Sequence, residues 1–173
     1  LQNNTTAHNN TAVGHDALTT NTTADDNTAV GKSALESNDT GARNTAIGSL
    51  ALDANTSATN NTAVGYAALG ANTTGTDNTA IGRNALNANT TGSKNVAIGT
   101  FALDANTVGG QCVAIGYAAL GAHNRNDANS RAVAVGAYAL SSNTTSMENT
   151  AVGWYALGNT TTGCLLYTSP SPR

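Results

Sequence analysis

The chain has 173 residues, a formal net charge of −3 and only 10% charged residues, so it carries neither the basic footprint of a nucleic-acid binder nor a polybasic patch for a membrane surface. Leu, Ile, Val and Phe together number 27, under the rough one-fifth level that warns of disorder. Low charge and a strict register of the apolar residues nevertheless favour a folded chain.

In chain order, Leu1 aligns with Leu18, and Asn4-Thr5-Thr6-Ala7 with Asn21-Thr22-Thr23-Ala24. The chain is therefore expected to open in mid-coil, as a fragment of a longer protein without an initiator Met. From Asn10 the unit reads Asn-Thr-Ala-Val-Gly, two variable residues, Ala-Leu, usually two more residues, then Asn-Thr-Thr-Gly. Its glycine falls at Gly14, Gly31, Gly48, Gly65, Gly82, Gly99, Gly116, Gly136 and Gly153, so the unit is a 17-residue one with a single longer exception, the 20-residue coil between Gly116 and Gly136. A fixed period of this size marks a solenoid or array.

Each unit predicts the same succession of elements. Val or Ile stands before each of these nine glycines and Ala before that, while Asn opens the unit except at Cys112 and Ala132. A short strand is expected here, with Val/Ile and the Thr or Val two residues earlier facing inward and the alanine column facing outward. The glycine supplies a corner or room for the neighbouring coil. Ala-Leu predicts a second short strand or corner with Leu inward, and Asn-Thr-Thr-Gly has the composition of a turn. Helix is disfavoured by the β-branched residues, Asn, Thr and periodic Gly, and by the lack of apolar spacing of three and four. The expected fold is all-β: a repetitive parallel β-roll, or β-solenoid, of about nine coils. At about 4.8 Å per coil that is a rod on the order of 40 Å long. Stacked asparagines are expected to form ladders between coils. The thin core and the outer alanine column predict lateral packing of several chains, three being the expected number.

Variation against this constant frame marks the candidate binding residues. The 20-residue coil carries its insertion in Ala122–Arg131, and loops on a rigid scaffold often carry function. His123, Asn124, Arg125, Asn126 and Asp127 are the candidate binding loop. The variable pair after each glycine becomes aromatic at Tyr66, Phe101, Tyr117, Tyr138, Trp154 and Tyr155, a row suited to glycan or protein or to packing between chains. His8, His15 and His123 occupy different repeat columns, so no metal row is expected and surface placement is. Asp25-Asp26 and Asp127 lie in turns without the GGxGxD signature of calcium-binding rolls. Asn4, Asn21, Asn38, Asn55, Asn72, Asn89 and Asn143 begin glycosylation sequons whose periodicity fits structural turns better. An array offers like residues in rows where catalysis needs unlike residues converging. No nucleophile elbow, zinc spacing or phosphate loop is found, so no enzyme, catalytic residue, metal or cofactor is expected.

The repeat runs in phase to Gly163, and Cys164 to Arg173 shares nothing with it. The string CLLYTSPSPR resembles a translated sequencing adapter, so the expected division is a repeat array over 1–163 and a non-native tail over 164–173; a genuine C-terminal tail is the alternative. Without Cys164, Cys112 stands alone and no intramolecular disulfide is proposed.

NVAIG at Asn95–Gly99, CVAIG at Cys112–Gly116 and AVAVG at Ala132–Gly136 resemble the head-repeat motif of YadA-like trimeric autotransporter adhesins. The NTAIG form followed by AL and NTTG resembles the repeats of phage tail fibres and bacterial surface fibres. The resemblance covers residues 1–163 and implies a left-handed roll and a homotrimer. It also implies an extracellular place, on an outer-membrane-anchored cell surface or a virion tail fibre, and attachment to a host-cell surface protein or glycan. No nucleic acid and no direct membrane insertion are expected of this segment. The unit here is longer than the adhesin repeat and Thr often replaces the first Val, which favours the fibre assignment. Regular Thr rows on a β-solenoid also fit an ice-binding protein, although an inward Thr and an outward Ala argue against it.

Overall fold

The structure, a computed structural model, describes residues 1–124, 130–144, 147–161, 163 and 167–168. Among them there is no helix, and none therefore long and apolar enough to cross a membrane. The chain is an all-β parallel solenoid. Each Asn-Thr-Ala-Val-Gly unit contributes one three-residue strand: β1 (Thr11–Val13), β2 (Thr28–Val30), β3 (Thr45–Ile47), β4 (Thr62–Val64), β5 (Thr79–Ile81), β6 (Val96–Ile98), β7 (Val113–Ile115), β8 (Val133–Val135) and β9 (Thr150–Val152). The strands pair in sequence order, all parallel, and the register sets like on like, Thr45 on Thr62, Ala46 on Ala63 and Ile47 on Val64. The three-residue insertion leaves that register intact, with Val113 on Val133 and Ile115 on Val135. A tenth strand, β10 (Tyr167–Thr168), pairs parallel with β9 through Tyr167 and Thr150.

The strand faces the other way from the sequence expectation. Its alanine points inward: Ala29, Ala46, Ala63, Ala80, Ala97, Ala114, Ala134 and Ala151 are fully buried, while Thr and Val/Ile on either side face outward. The cause is volume. The interior opposite the strand is already filled by the Leu of each Ala-Leu pair, Leu35 through Leu140, and by two columns that are asparagine except at Cys112, His123 and Ala132, all buried. The remaining space takes a methyl group and nothing larger, and close packing leaves no slack for Val. Thr and Val exchange on the outer face because both are β-branched and suit a pleated surface.

The Ala-Leu stretch is a corner, and its leucine points inward as expected. The leucines adopt left-handed backbone, φ 52° at Leu35, Leu52 and Leu120, and so do the second residue after each unit's corner glycine, such as Leu50 at 59°, and the residue just before each unit opens, such as Asn60 at 61°. Such conformations are uncommon for non-glycine residues. Here they let a 17-residue loop close on itself, and bonds from the next coil hold them, Leu35 N donating to Ala51 O at 3.1 Å and Leu52 N to Ala68 O at 3.1 Å. The corner glycines are needed for a second reason. Gly82 has φ 132°, and a methyl group there would lie 2.7 Å from the carbonyl carbon of Gly99, so coils stack at this corner only when it is bare.

Two asparagine ladders run along the interior, broken at His123 in one and at Cys112 and Ala132 in the other. In one, each side chain donates to the carboxamide oxygen of its counterpart in the preceding coil, Asn38 Nδ2 to Asn21 Oδ1 at 3.0 Å and Asn89 Nδ2 to Asn72 Oδ1 at 2.9 Å. The same nitrogen closes the turn on a carbonyl three residues ahead, Asn89 Nδ2 to Gly92 O at 2.9 Å. In the other, the carboxamide oxygen accepts the backbone N–H of the next coil's asparagine, Asn44 N to Asn27 Oδ1 at 2.9 Å, and Nδ2 donates across the coil, Asn44 Nδ2 to Ala58 O at 2.8 Å. These bonds answer the main-chain carbonyls that the narrow turns bury, whose desolvation otherwise costs about 1–3 kcal/mol each.

Candidate interaction surfaces

The outer strand face carries two parallel rows. One row is Thr11, Thr28, Thr45, Thr62, Thr79, Val96, Val113, Val133 and Thr150; the other is the Val/Ile before each glycine. The second row is apolar along the whole rod, and among its members Val13, Ile47, Ile81, Ile115 and Val152 are 37–57% exposed. A soluble monomer seldom presents an unbroken aliphatic row of this kind.

A second surface lies one corner away, on the variable pair after each glycine. From the sixth coil onward one ring stacks on the next: Phe101 and Tyr117 are 6.1 Å apart edge to face, Tyr117 and Tyr138 are 5.2 Å apart, and Tyr138 and Tyr155 are 6.2 Å apart. Trp154 flanks Tyr155 at 5.7 Å, and the Arg83 guanidinium sits 5.5 Å over the Phe101 ring. Trp154 is the most open of them, at 76%. Tyr66 is exposed too, but Arg83 follows it in the next coil, so it stands outside the stack.

The candidate loop is divided. His123 is fully buried, in the column that holds Asn106 before it and Asn143 after it, with its Nδ1 3.2 Å from Asn143 Oδ1. This corrects the expected surface position: a residue in that column points into the coil whatever its type. Asn124 is exposed and its Oδ1 accepts the Thr107 hydroxyl at 2.8 Å. Arg125, Asn126 and Asp127 lie outside the described residues.

His8 and His15 are exposed as expected, beside Asp25 at 3.8 Å and Asp16 at 2.7 Å. Asp25 Oδ1 accepts the His8 backbone N–H and Asp26 Oδ1 the Asn9 side chain, so both carboxylates are engaged in coil-to-coil bonding. Among the described residues no three His, Cys, Asp or Glu side chains gather closely enough to hold a metal ion. Of the sequon asparagines, Asn21, Asn38, Asn55, Asn72, Asn89 and Asn143 are fully buried ladder members, so the folded rod has no room for glycans on them; Asn4 alone of that set is exposed. Cys112 is buried in the second ladder's column, and burial raises its thiol pKa above the ordinary value. Comparison with protein-family models, curated proteins and solved structures yields no match.

Sequence reasoning missed the aliphatic row as a surface because it placed those side chains inside. The signal that would have found it is the alanine column, since an invariant small residue is as much a mark of a tight interior as of a close neighbour.

Proposed function

We propose that this segment is the structural and attachment rod of a surface adhesin or tail fibre, assembled from three copies side by side outside the cell or on a virion. The observation that carries the proposal is the aliphatic row running past every Asn-Thr-Ala-Val-Gly strand on the outer face. Pairing that face with neighbouring copies supplies the apolar burial that a core of one leucine and a few alanines per coil lacks. The resemblance to trimeric adhesin and fibre repeats supports the same number of copies, and a repeat rod with exposed corners suits the presentation of binding groups at a distance from an anchor.

Sedimentation of the full chain over a range of concentrations tests the assembly, with the double substitution Ile47→Lys and Ile81→Lys as its partner experiment. The expected result is a trimer for the parent chain and a folded monomer for the variant, because a charge on the outer face leaves the coil interior untouched but cannot be buried unpaired against a neighbour. A folded parent monomer at all concentrations overturns the proposal.

One observation favours a second reading. The strand threonines face outward beside the aliphatic row, where a repeat of about 4.8 Å from coil to coil suits the ordering of ice-like water. An ice-binding solenoid predicts a monomer with thermal hysteresis that falls when Thr45 and Thr62 are replaced by Lys.

A further inference from the structure

We infer that the aromatic stripe from Phe101 to Trp154 is a binding site for an uncharged linear glycan lying along the rod axis. This deepens the attachment reading, on which it rests, by naming what is held and where.

The repeat itself separates this occupant from a second copy of the chain. Side chains that meet a neighbour in register must suit it at every coil, as the Val/Ile row does from Val13 to Val152. The stripe columns obey no such rule: the early coils put His15-Asp16 and Lys32-Ser33 there, and the aromatics begin only in the sixth coil, Tyr66 aside. Selection on these columns is therefore local, and the rings remain partly open to solvent, with Tyr117, Tyr138 and Tyr155 each 39–45% exposed.

The chemistry of the stripe narrows the ligand class. It has one ring per coil at centroid spacings of 5.2–6.2 Å, successive rings being inclined to one another by 53–88°, on a scaffold that advances about 4.8 Å per coil. A β-linked hexose chain advances by a similar step per sugar, so successive sugars come opposite successive rings, whose faces and edges alternate along the stripe. Aromatic faces with phenol hydroxyls at their edges suit a ligand that is apolar on one side and hydroxylated at its rim. No carboxylate occupies these columns from Arg83 to Tyr155, and the Arg83 guanidinium is turned onto Phe101. A chain of net charge −3 with one engaged cation at the end of the stripe matches a neutral polymer better than an anionic one.

The test is affinity electrophoresis of the full chain in native gels containing hydroxyethylcellulose, xylan, mannan or dextran, with alginate as the anionic comparison, alongside sedimentation of each protein. The variant is Tyr117→Ala with Tyr138→Ala. Ala137 and Ala118 already occupy those two columns in adjacent coils, so the coil accepts alanine there, and circular dichroism verifies the fold. The expected result is retardation by at least one neutral polysaccharide, weakened about tenfold in the double variant and unchanged in Tyr66→Ala, with the mass unaltered throughout. Retardation by alginate alone, by no polysaccharide, or equally in the double variant overturns the glycan site. A double variant that loses assembly also overturns it, by showing that the rings cover a neighbouring copy. The mass of the parent chain reports separately on the rod: a trimer without retardation sinks only the stripe, and a retarded monomer sinks only the fibre.

Discussion

At the outer corner of the third coil, Asp53 stands in a column that Glu36 occupies in the coil before and Asn87 two coils later. Partial burial raises its carboxyl above the ordinary 3.8, bonding to the backbone pulls it partly back, and the Glu36 charge adds to the rise. Because the folded value exceeds the unfolded one, the folded state binds the proton more readily, and stability falls as pH rises through the window from 3.8 upward. Asp53→Asn, which copies Asn87, is therefore expected to raise the thermal midpoint modestly at neutral pH and to lose that advantage once the pH drops below 3.8. Melting curves of both proteins across the acid range measure it. Asp104, raised chiefly by burial as well, predicts the same direction.

At the scale of the coil, the seventh is the fault in an otherwise uniform stack. Cys112 and then Ala132 interrupt one ladder where His123 interrupts the other, and among the described residues the buried Asn106 Oδ1 has no hydrogen-bond partner. That follows from the ladder's rule: each carboxamide oxygen waits for the next coil's Nδ2, and the next coil has an imidazole. His123→Asn returns the donor and is expected to stabilise the chain by about 1 kcal/mol. Hydrogen exchange should slow at the amides of Leu120 to Asn124, beside the restored bond.

How much of a coil the sequence discloses also belongs to this scale. The 17-residue period, the stacking of like on like, the inward leucine, the glycine corner and the asparagine ladders are all visible as columns, because each needs one residue type at one place. The inside and outside of the strand are not visible in the same way. Alternation divides Thr-Ala-Val into two faces without saying which face is wet, and hydrophobicity chose Val where available volume decided for Ala. The left-handed leucines were equally hidden, since nothing in their own preference announces a positive φ; only the bonds of the stacked coil hold them there. Of the candidate binding residues the aromatic columns were legible, but their stacking was not, because it depends on how neighbouring corners superpose.

For the whole molecule, nearest-neighbour contacts predict a simple deletion rule. Removing residues 61–77, one complete unit, brings Asn60 against Asn78, the residue type that follows it naturally. A shortened, fully folded rod with an unchanged dichroism spectrum per residue is expected. Removing one residue fewer slides every later side chain out of its column and should abolish cooperative melting.

The identity of successive contacts has a consequence for how such a protein changes over generations. Because Ala46 rests on Ala63 as Ala63 rests on Ala80, unequal recombination between repeats of the gene changes reach by whole coils and leaves the stacking contacts between coils as they were. Each exchange shifts the far end by about 4.8 Å. Reach can thus be adjusted in uniform increments without passing through a misfolded ancestor, while the rings and charges on the corners drift independently to suit whatever lies at that distance.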